Sequence, residues 1–497
     1  MTEKNIQRNH KKQGILNLLF LYTGTVIGLF NSIFKVKVLT PEQIGLLATV
    51  TAISILLEYF ICFGFPLGIR KFYSIYSKDV HEKTGFILIN FIFSFMAFFL
   101  TALVFFIFED RFLKLYHDAF IKQYVEFIYF LLFANFGGKV FRFIYEAEYH
   151  SVFANIFHDI IEKIFHLAIL LIMFYYKIPF IVFFVVYVIA LPYIKLLFLS
   201  FFFKKKVKIG KPKLNIFFKK DFLAKYFHYC GFNFLAGVST RISSNIDKIM
   251  IGIYLSIYDV GIYAVITLVS ELIEIIGNSF SRIAEPLIAE YWNAEDKNKV
   301  KKIYYDAISM QLFLGLFIFI FLNIFANILL GIFGKEYIVG AGVLFFITAS
   351  HLIDLVSGLS GSVISLSKIY RFDFLTRLFQ VILVVITNII FIPWMGLTGA
   401  ALATCISVFL FNALKAVIVY KFFKMFPFSV DALKVIFAGA VIWGISLYFR
   451  KYINNIFILA LFEMVMGIIY FSINFFIFKI DFLKRYAEKS KFMIGRK

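Results

Sequence analysis

Arg241, Asp247 and Lys248 stand in the stretch RISSNIDKIMIGIYL, with apolar sequence on either side. A guanidinium, a carboxylate and an ammonium within eight residues could bind an anionic group or carry an ion. At helical spacing Arg241, Ser244/Asn245 and Lys248 share one face and Asp247 lies beside it. Similar stripes recur along the chain: Asn135, Lys139, Arg142 and Glu146; Asn155, Asp159, Glu162 and His166; Thr267, Ser270, Glu274, Ser281 and Glu285; His351 and Asp354. Asn31 and Lys35 continue a Gly24/Gly28 stripe. Such side chains are costly in a bilayer, so they face a bundle interior or a water-filled space.

The surroundings require a bilayer. Of 497 residues, 61% are hydrophobic and 20% aromatic, too little polar surface for a soluble domain of this size. Repeated apolar windows of about 20 residues match the hydrocarbon core. The fold class expected is an all-α polytopic membrane protein with fourteen spans, near 15–36, 44–66, 84–108, 123–145, 153–176, 179–203, 225–254, 258–289, 304–331, 338–366, 372–392, 397–420, 428–448 and 455–478. The first span follows Lys4, Arg8, Lys11 and Lys12 without a small-residue cleavage pattern and is expected to be retained. Cys62, Cys230 and Cys405 all lie in apolar stretches, so no disulfide framework, metal site or cofactor is expected.

Orientation follows from Lys/Arg bias in the loops. The loop after the sixth span holds nine lysines from Lys204 to Lys225, and the tail from Lys479 to Lys497 is also basic, whereas Ser256–Val260 has neither Lys nor Arg. Both termini and the 204–225 loop are expected in the cytoplasm. The net charge of +21 is accounted for by topology and attraction to anionic membrane lipids, and no nucleic-acid partner is expected.

That loop also separates two similar halves. Ile33 to Phe60 lies on Ile249 to Ile276 without a gap, which matches Gly45 with Gly261, Asn31 with Asp247, and Glu58 with Glu274. Six intervening spans make this a parallel repeat about an axis along the membrane normal. The expected organisation is an N-terminal lobe at 1–203, a basic linker at 204–224, a second lobe at 225–421, and two peripheral helices with the basic tail at 422–497.

Structural roles compete for many of these residues. Arg142 with Glu146 is an ordinary i,i+4 pair near a cytoplasmic helix end, and Asp159, Glu162 and Lys163 sit near the same end. Lys35 and Lys37 can snorkel to the outer surface. His351 suits an interior hydrogen bond. Arg241 can anchor at the headgroups, and Asp247 can neutralise Lys248 or Arg241. Gly24, Gly28 and the small residues of GLTGAALAT (Gly396 to Thr404) suit close helix packing.

Three stretches carry a family resemblance: GTVIGLFNSIF with LTPEQIGLLATVTAI and CFGFPLGIRKFY; NIDKIMIGIYLSIYDVGIYAVITLV with IAEPLIAEYW; and PWMGLTGAALATCISVF. In this order the chain resembles the polysaccharide-transporter, or O-antigen-type flippase, branch of the multidrug/oligosaccharidyl-lipid/polysaccharide exporter superfamily. The resemblance implies two lobes that open alternately to either side, with spans 13 and 14 peripheral. It implies, without covalent catalysis, movement of a polyprenyl-diphosphate-linked oligosaccharide (an O-antigen or capsule repeat unit) across the bacterial cytoplasmic membrane. Glycosyltransferases and a polymerase of the same route are the implied partners. A diphosphate is anionic and pairs with Arg and Lys, so Arg241, Lys248, Lys35 and Lys139 are the expected headgroup ligands. Asp247, Glu58 and Glu274 are the expected ion or proton carriers. A lipid II flippase or a drug/cation antiporter shares the fold. A membrane oligosaccharide polymerase would need a larger external loop than this sequence offers.

Overall fold

The computed structural model describes residues 3–478 apart from 117–118, 149, 218–219, 370 and 454. The basic tail from Lys479 onward and Lys219 of the linker therefore lie outside the described residues, as does the side chain of Asp159. Among the described residues every regular element is helical.

The long helices are α1 (Glu3–Val38), α2 (Pro41–Cys62), α3 (Phe65–Tyr76), α4 (Val80–Leu115), α5 (Phe127–Ala147), α6 (Glu162–Tyr176), α7 (Leu191–Phe201) and α8 (Lys220–Tyr254). They continue with α9 (Ile257–Asn293), α10 (Lys297–Ile324), α11 (Ala341–Ser357), the short α12 (Ser360–Ser365), α13 (Arg371–Phe423), α14 (Val430–Arg450) and α15 (Ile456–Ser472). Among the described residues ten helical stretches are long and apolar enough to cross a membrane, so the chain is a multi-pass integral membrane protein. The expected spans at 372–392 and 397–420 form the two arms, broken at Gly396, of one of the ten. Those at 15–36, 153–176 and 225–254 are largely helical but are not among the ten. The expected count of fourteen thus exceeds the set that length and hydropathy select.

Local chemistry sets the breaks. Thr40 starts α2 with a capping box: its hydroxyl accepts from Gln43 N at 3.4 Å, and Gln43 Oε1 accepts from Thr40 N at 3.1 Å, with Pro41 at the first turn where its missing N–H costs nothing. Phe63 and Gly64 both take positive φ between α2 and α3. A π-helical turn, Phe157–Ile161, precedes α6, and another, Val185–Ala190, precedes α7. Pro192 follows the second; it lacks an N–H and crowds the carbonyl four residues back, which the widened turn accommodates. In α13 the backbone leaves helical geometry at Gly396, φ 59°. There the chain doubles back so tightly that a β-carbon on Gly399 would strike the Phe391 carbonyl, and Thr387 and Ser407 hydroxyls meet at 2.8 Å across the fold. The expected packing role of this small-residue stretch holds.

The chain forms two compact units, residues 1–264 and 265–497. In the first, α8 lies along α2; α2 also packs against α4 and α5, and α8 against α3 and, through Tyr226 and Asn90, α4. The repeat reappears there as a reciprocal contact: a β-carbon on Gly45 would overlap the Ile257 carbonyl, and one on Gly261 would overlap the Pro41 carbonyl. Pro41 pairs with Ile257 in the same alignment that pairs Gly45 with Gly261, so sequence repeat and packing obey one symmetry. The visible part of the linker is docked on the start of α4. Lys213 N donates to His81 O at 3.1 Å, Gly210 N donates to Thr84 Oγ1 at 2.9 Å, and Lys213 Nζ meets Asp79 at 2.7 Å. In the second unit α10 packs against α11, and both α14 and α15 join its apolar core.

Candidate functional site

Within the first unit, three elements build a polar site on the α2–α5–α8 face. Gly237 on α8 leaves room for the Tyr59 ring of α2, since a β-carbon there would strike the ring. The guanidinium of Arg241, one turn further along α8, lies 5.7 Å from the centre of that ring, within cation–π reach. One residue before Tyr59 on α2, Glu58 is buried, its side chain 5% exposed. Lys139 of α5 places Nζ 2.9 Å from Glu58 Oε1, at an angle outside hydrogen-bonding geometry, so this is an ion pair. Lys139 retains 41% exposure and Arg241 is exposed; the charge of Arg241 also bears on Lys139. The result is two accessible cations standing on one buried carboxylate and one aromatic ring. Such a surface holds net positive charge and suits a phosphate-type anion.

Lys35 belongs to a second cluster in the same unit. Its Nζ lies 5.8 Å over the Tyr187 ring, which stacks on His166 with centroids 4.0 Å apart. One turn below His166, Glu162 is paired with Lys195 at 3.3 Å and His158 at 3.2 Å, and its side chain is 16% exposed. Glu162 is therefore an interior ion pair rather than the solvated helix end its position implied. The stem of Lys163 lies on Gly28, and Asn31 donates to the Lys163 carbonyl at 2.7 Å just past the π turn. Both π turns thus flank this cluster, where widened turns re-aim side chains. Arg142 and Glu146 form the expected i,i+4 pair at 3.1 Å, reinforced by Arg70 at 2.6 Å.

The remaining expected residues are distributed differently. Asp247 is buried and accepts from the Tyr263 hydroxyl at 3.0 Å. Lys248, on the same turn, is half-buried. Glu274 lies in the second unit, where Asn278 donates to it at 3.3 Å, and His351 nearby shares a hydrogen bond with Ser270 at 3.3 Å. Of the residues matched by the repeat, Gly261 mirrors Gly45, whereas Asp247 and Glu274 have partners unlike those of Asn31 and Glu58. Sequence reasoning passed over Tyr59, Tyr187, Lys195 and Lys415. Lys195 and Lys415 each stand alone in an apolar run, YIKLL and NALKAV, and a lone lysine mid-span is itself a signal of a polar interior. The two tyrosines had no signal, because this chain has 28 of them.

A family model described as polysaccharide biosynthesis protein matches residues 11–292, and a MatE model matches residues 234–390. A probable low-salt glycan biosynthesis flippase, Agl15 of Haloferax volcanii, is 22% identical over 184 residues, 36% of this chain and 39% of that one. The chain thus spans about two fifths of the length of that curated relative. Among solved structures, the lipid II flippase MurJ in an inward closed conformation superposes with TM-score 0.70, at 16% identity, over 93% of this chain and 99% of that one. An inward-facing multidrug resistance MATE family transporter superposes with TM-score 0.68, at 13% identity, over 82% and 98%. A transporter of the same superfamily from Pyrococcus furiosus, described by the reverse polarity of its binding pocket, gives 0.52 at 13% identity, over 82% and 94%. These likenesses show the shared helical membrane fold. By the match over residues 11–292, and in agreement with the motifs above, the chain belongs to the polysaccharide biosynthesis protein family of the multidrug/oligosaccharidyl-lipid/polysaccharide exporter superfamily.

Proposed function

We propose that the protein is a flippase that moves a polyprenyl-diphosphate-linked oligosaccharide, an O-antigen or capsule repeat unit, across the bacterial cytoplasmic membrane by alternating access. The observation that carries this reading is the pair of accessible cations, Lys139 and Arg241, anchored by buried Glu58 and by Tyr59. A diphosphate offers several acceptor oxygens at a spacing that a guanidinium and an ammonium can share. Lys35 and Lys248 are proposed to meet the same headgroup at other stages of transport. Glu58, Asp247 and Glu274 are proposed to carry the coupling ion or proton, as intramembrane carboxylates do in transporters. No covalent step is needed. Lobes at 1–203 and 225–421, the cytoplasmic termini and linker, and glycosyltransferases and a polymerase as route partners complete the proposal.

The test is leaflet translocation. Purified protein is reconstituted with a short polyprenyl-diphosphate oligosaccharide, and outer-leaflet sugar is read by lectin accessibility. Wild type should translocate, while Arg241→Ala and Lys139→Ala should not, with folded protein retained. Translocation unchanged by both substitutions would discard the headgroup site. Efflux of organic cations without lipid translocation would assign the drug/cation antiporter reading, and transport of lipid II in preference to the oligosaccharide lipid would assign the other.

A further inference from the structure

Glu463 is the one charged residue among the seventeen of α15. On its face of that helix Ala460, Glu463, Met464 and Gly467 follow at helical spacing, and all four line a cavity of about 250 Å³ between α15, α10 and α14. Three rings form the opposite wall: Phe317 and Phe321 of α10, and Phe325 just beyond its end. Gly467 sets the width, since a β-carbon there would lie 2.9 Å from the Phe317 ring. Phe321 and Met464 are both exposed, so the cavity opens on the outer surface of the bundle, where hydrocarbon lies.

The polar end of this cavity is one carboxyl. Ser446 Oγ of α14 donates to Glu463 Oε2 at 3.1 Å, whereas Glu463 Oε1 is buried without a partner. Two other donors on these helices are engaged elsewhere. Tyr470, which also lines the cavity, donates its hydroxyl to the Phe313 carbonyl at 3.0 Å. Arg450, one turn beyond Ser446, donates to the Asn323 carbonyl at 3.3 Å. Among the described residues no cation lies within ion-pair distance of Glu463. The Ser446 bond thus uses one oxygen to tie α14 to α15, and the other faces an apolar space.

A carboxyl oxygen left unpaired at membrane depth is costly, and the wall dictates what can pair with it. An ammonium answers the carboxylate with a charge-assisted hydrogen bond, and phenyl faces attract a cation. The rest of the ligand must be apolar. The volume falls just below that of drug-sized pockets, about 300–1,000 Å³, so one ring or a short alkyl chain fills it. We infer that this cavity binds a lipophilic amine, with the ammonium on Glu463 Oε1 and the apolar body against Phe317 and Phe321. A fatty acid is repelled by like charge, and a fatty alcohol brings no charge to the pair. The cavity belongs to the second unit, whereas Lys139 and Arg241 belong to the first, and its existence does not rest on the transport reading.

The test is headgroup-selective stabilisation of the full-length protein in nonionic detergent. Unfolding temperature is followed against octylamine, octanol and octanoate, which share one chain length. A saturable rise is expected with octylamine, at a half-saturating concentration about tenfold or more below that of octanol, and none with octanoate. Glu463→Gln keeps the shape and the Ser446 partner but removes the charge, so octylamine should titrate like octanol. Ala460→Phe fills the cavity with Glu463 in place; it should weaken octylamine about tenfold or more, and it carries the test if the glutamine variant does not fold. No preference for the amine in wild type, a preference that survives Glu463→Gln, or octylamine binding unaltered by Ala460→Phe would overturn the inference. A rise with octanol alone would assign the cavity to a neutral hydroxyl lipid and overturn it equally.

Discussion

Replacing Lys139 with Met tests whether Glu58 and Lys139 act as one unit. Their charges lie 2.9 Å apart, and the Glu58 side chain is 5% exposed. Removing one partner of a buried ion pair costs about 3–5 kcal/mol, because the other charge is stranded. Lys139 is 41% exposed, so solvent screens part of that attraction, and the expected loss is about 2–3 kcal/mol. Glu58→Gln leaves an ammonium that can turn toward water and should cost about 1 kcal/mol. The double variant strands nothing and should fall about 1–2 kcal/mol below wild type, a coupling of about 2 kcal/mol. Denaturant titration of the four proteins in mixed micelles, followed by intrinsic fluorescence, gives the cycle. Additive losses would refute the pairing. Translocation separates structure from function: the double variant should regain stability over Lys139→Met yet remain defective, because the cation offered to the headgroup is gone.

Four further outcomes follow from the geometry. Arg241→Lys should keep part of the translocation that Arg241→Ala loses, since an ammonium retains the charge but not the two-pronged donor face; equal activity of the two would remove the guanidinium from the mechanism. Gly45→Ala and Gly261→Ala should each destabilise the fold by about 1–3 kcal/mol or more through overlap with a facing carbonyl, and unfolding midpoints that drop for only one of them would contradict the reciprocal contact. Lys213 and the His81 backbone N–H hold the Asp79 carboxyl below its usual range; this contact of the docked linker is therefore present at neutral pH and weakened as the pH falls through about 4 and lower, while the Lys213 N–His81 O and Gly210 N–Thr84 bonds remain. Acid-stable protease cleavage near residues 208–216 should accelerate over that window in wild type, and Asp79→Asn should show the fast rate already at neutral pH. Tyr59→Leu should lower translocation through loss of the ring beneath Arg241 with little change in stability, a combination that rate and unfolding measurements together resolve.

The alternation of apolar windows with basic loops is local, and a bilayer punishes any other arrangement, so the helical class, the membrane setting and most helix positions were legible in the residues. The gapless match of Gly45 with Gly261 was legible too, and the two glycines do meet as symmetry-related partners. Hydropathy does not register the π turns before α6 and α7, but it does separate the two helical arms that meet at Gly396.

Among the candidate site residues, type and rough depth came from sequence, because a charge within an apolar segment must face something polar. Which charge faces which partner did not. Glu58 and Lys139 are 81 positions apart and Arg241 is a further 102 along, so their meeting depends on how α2, α5 and α8 pack. The same packing sends Lys35 to Tyr187 and turns Asp247 to Tyr263. Helical periodicity tells a side chain which face of its own helix it occupies; only the packed bundle decides what stands opposite.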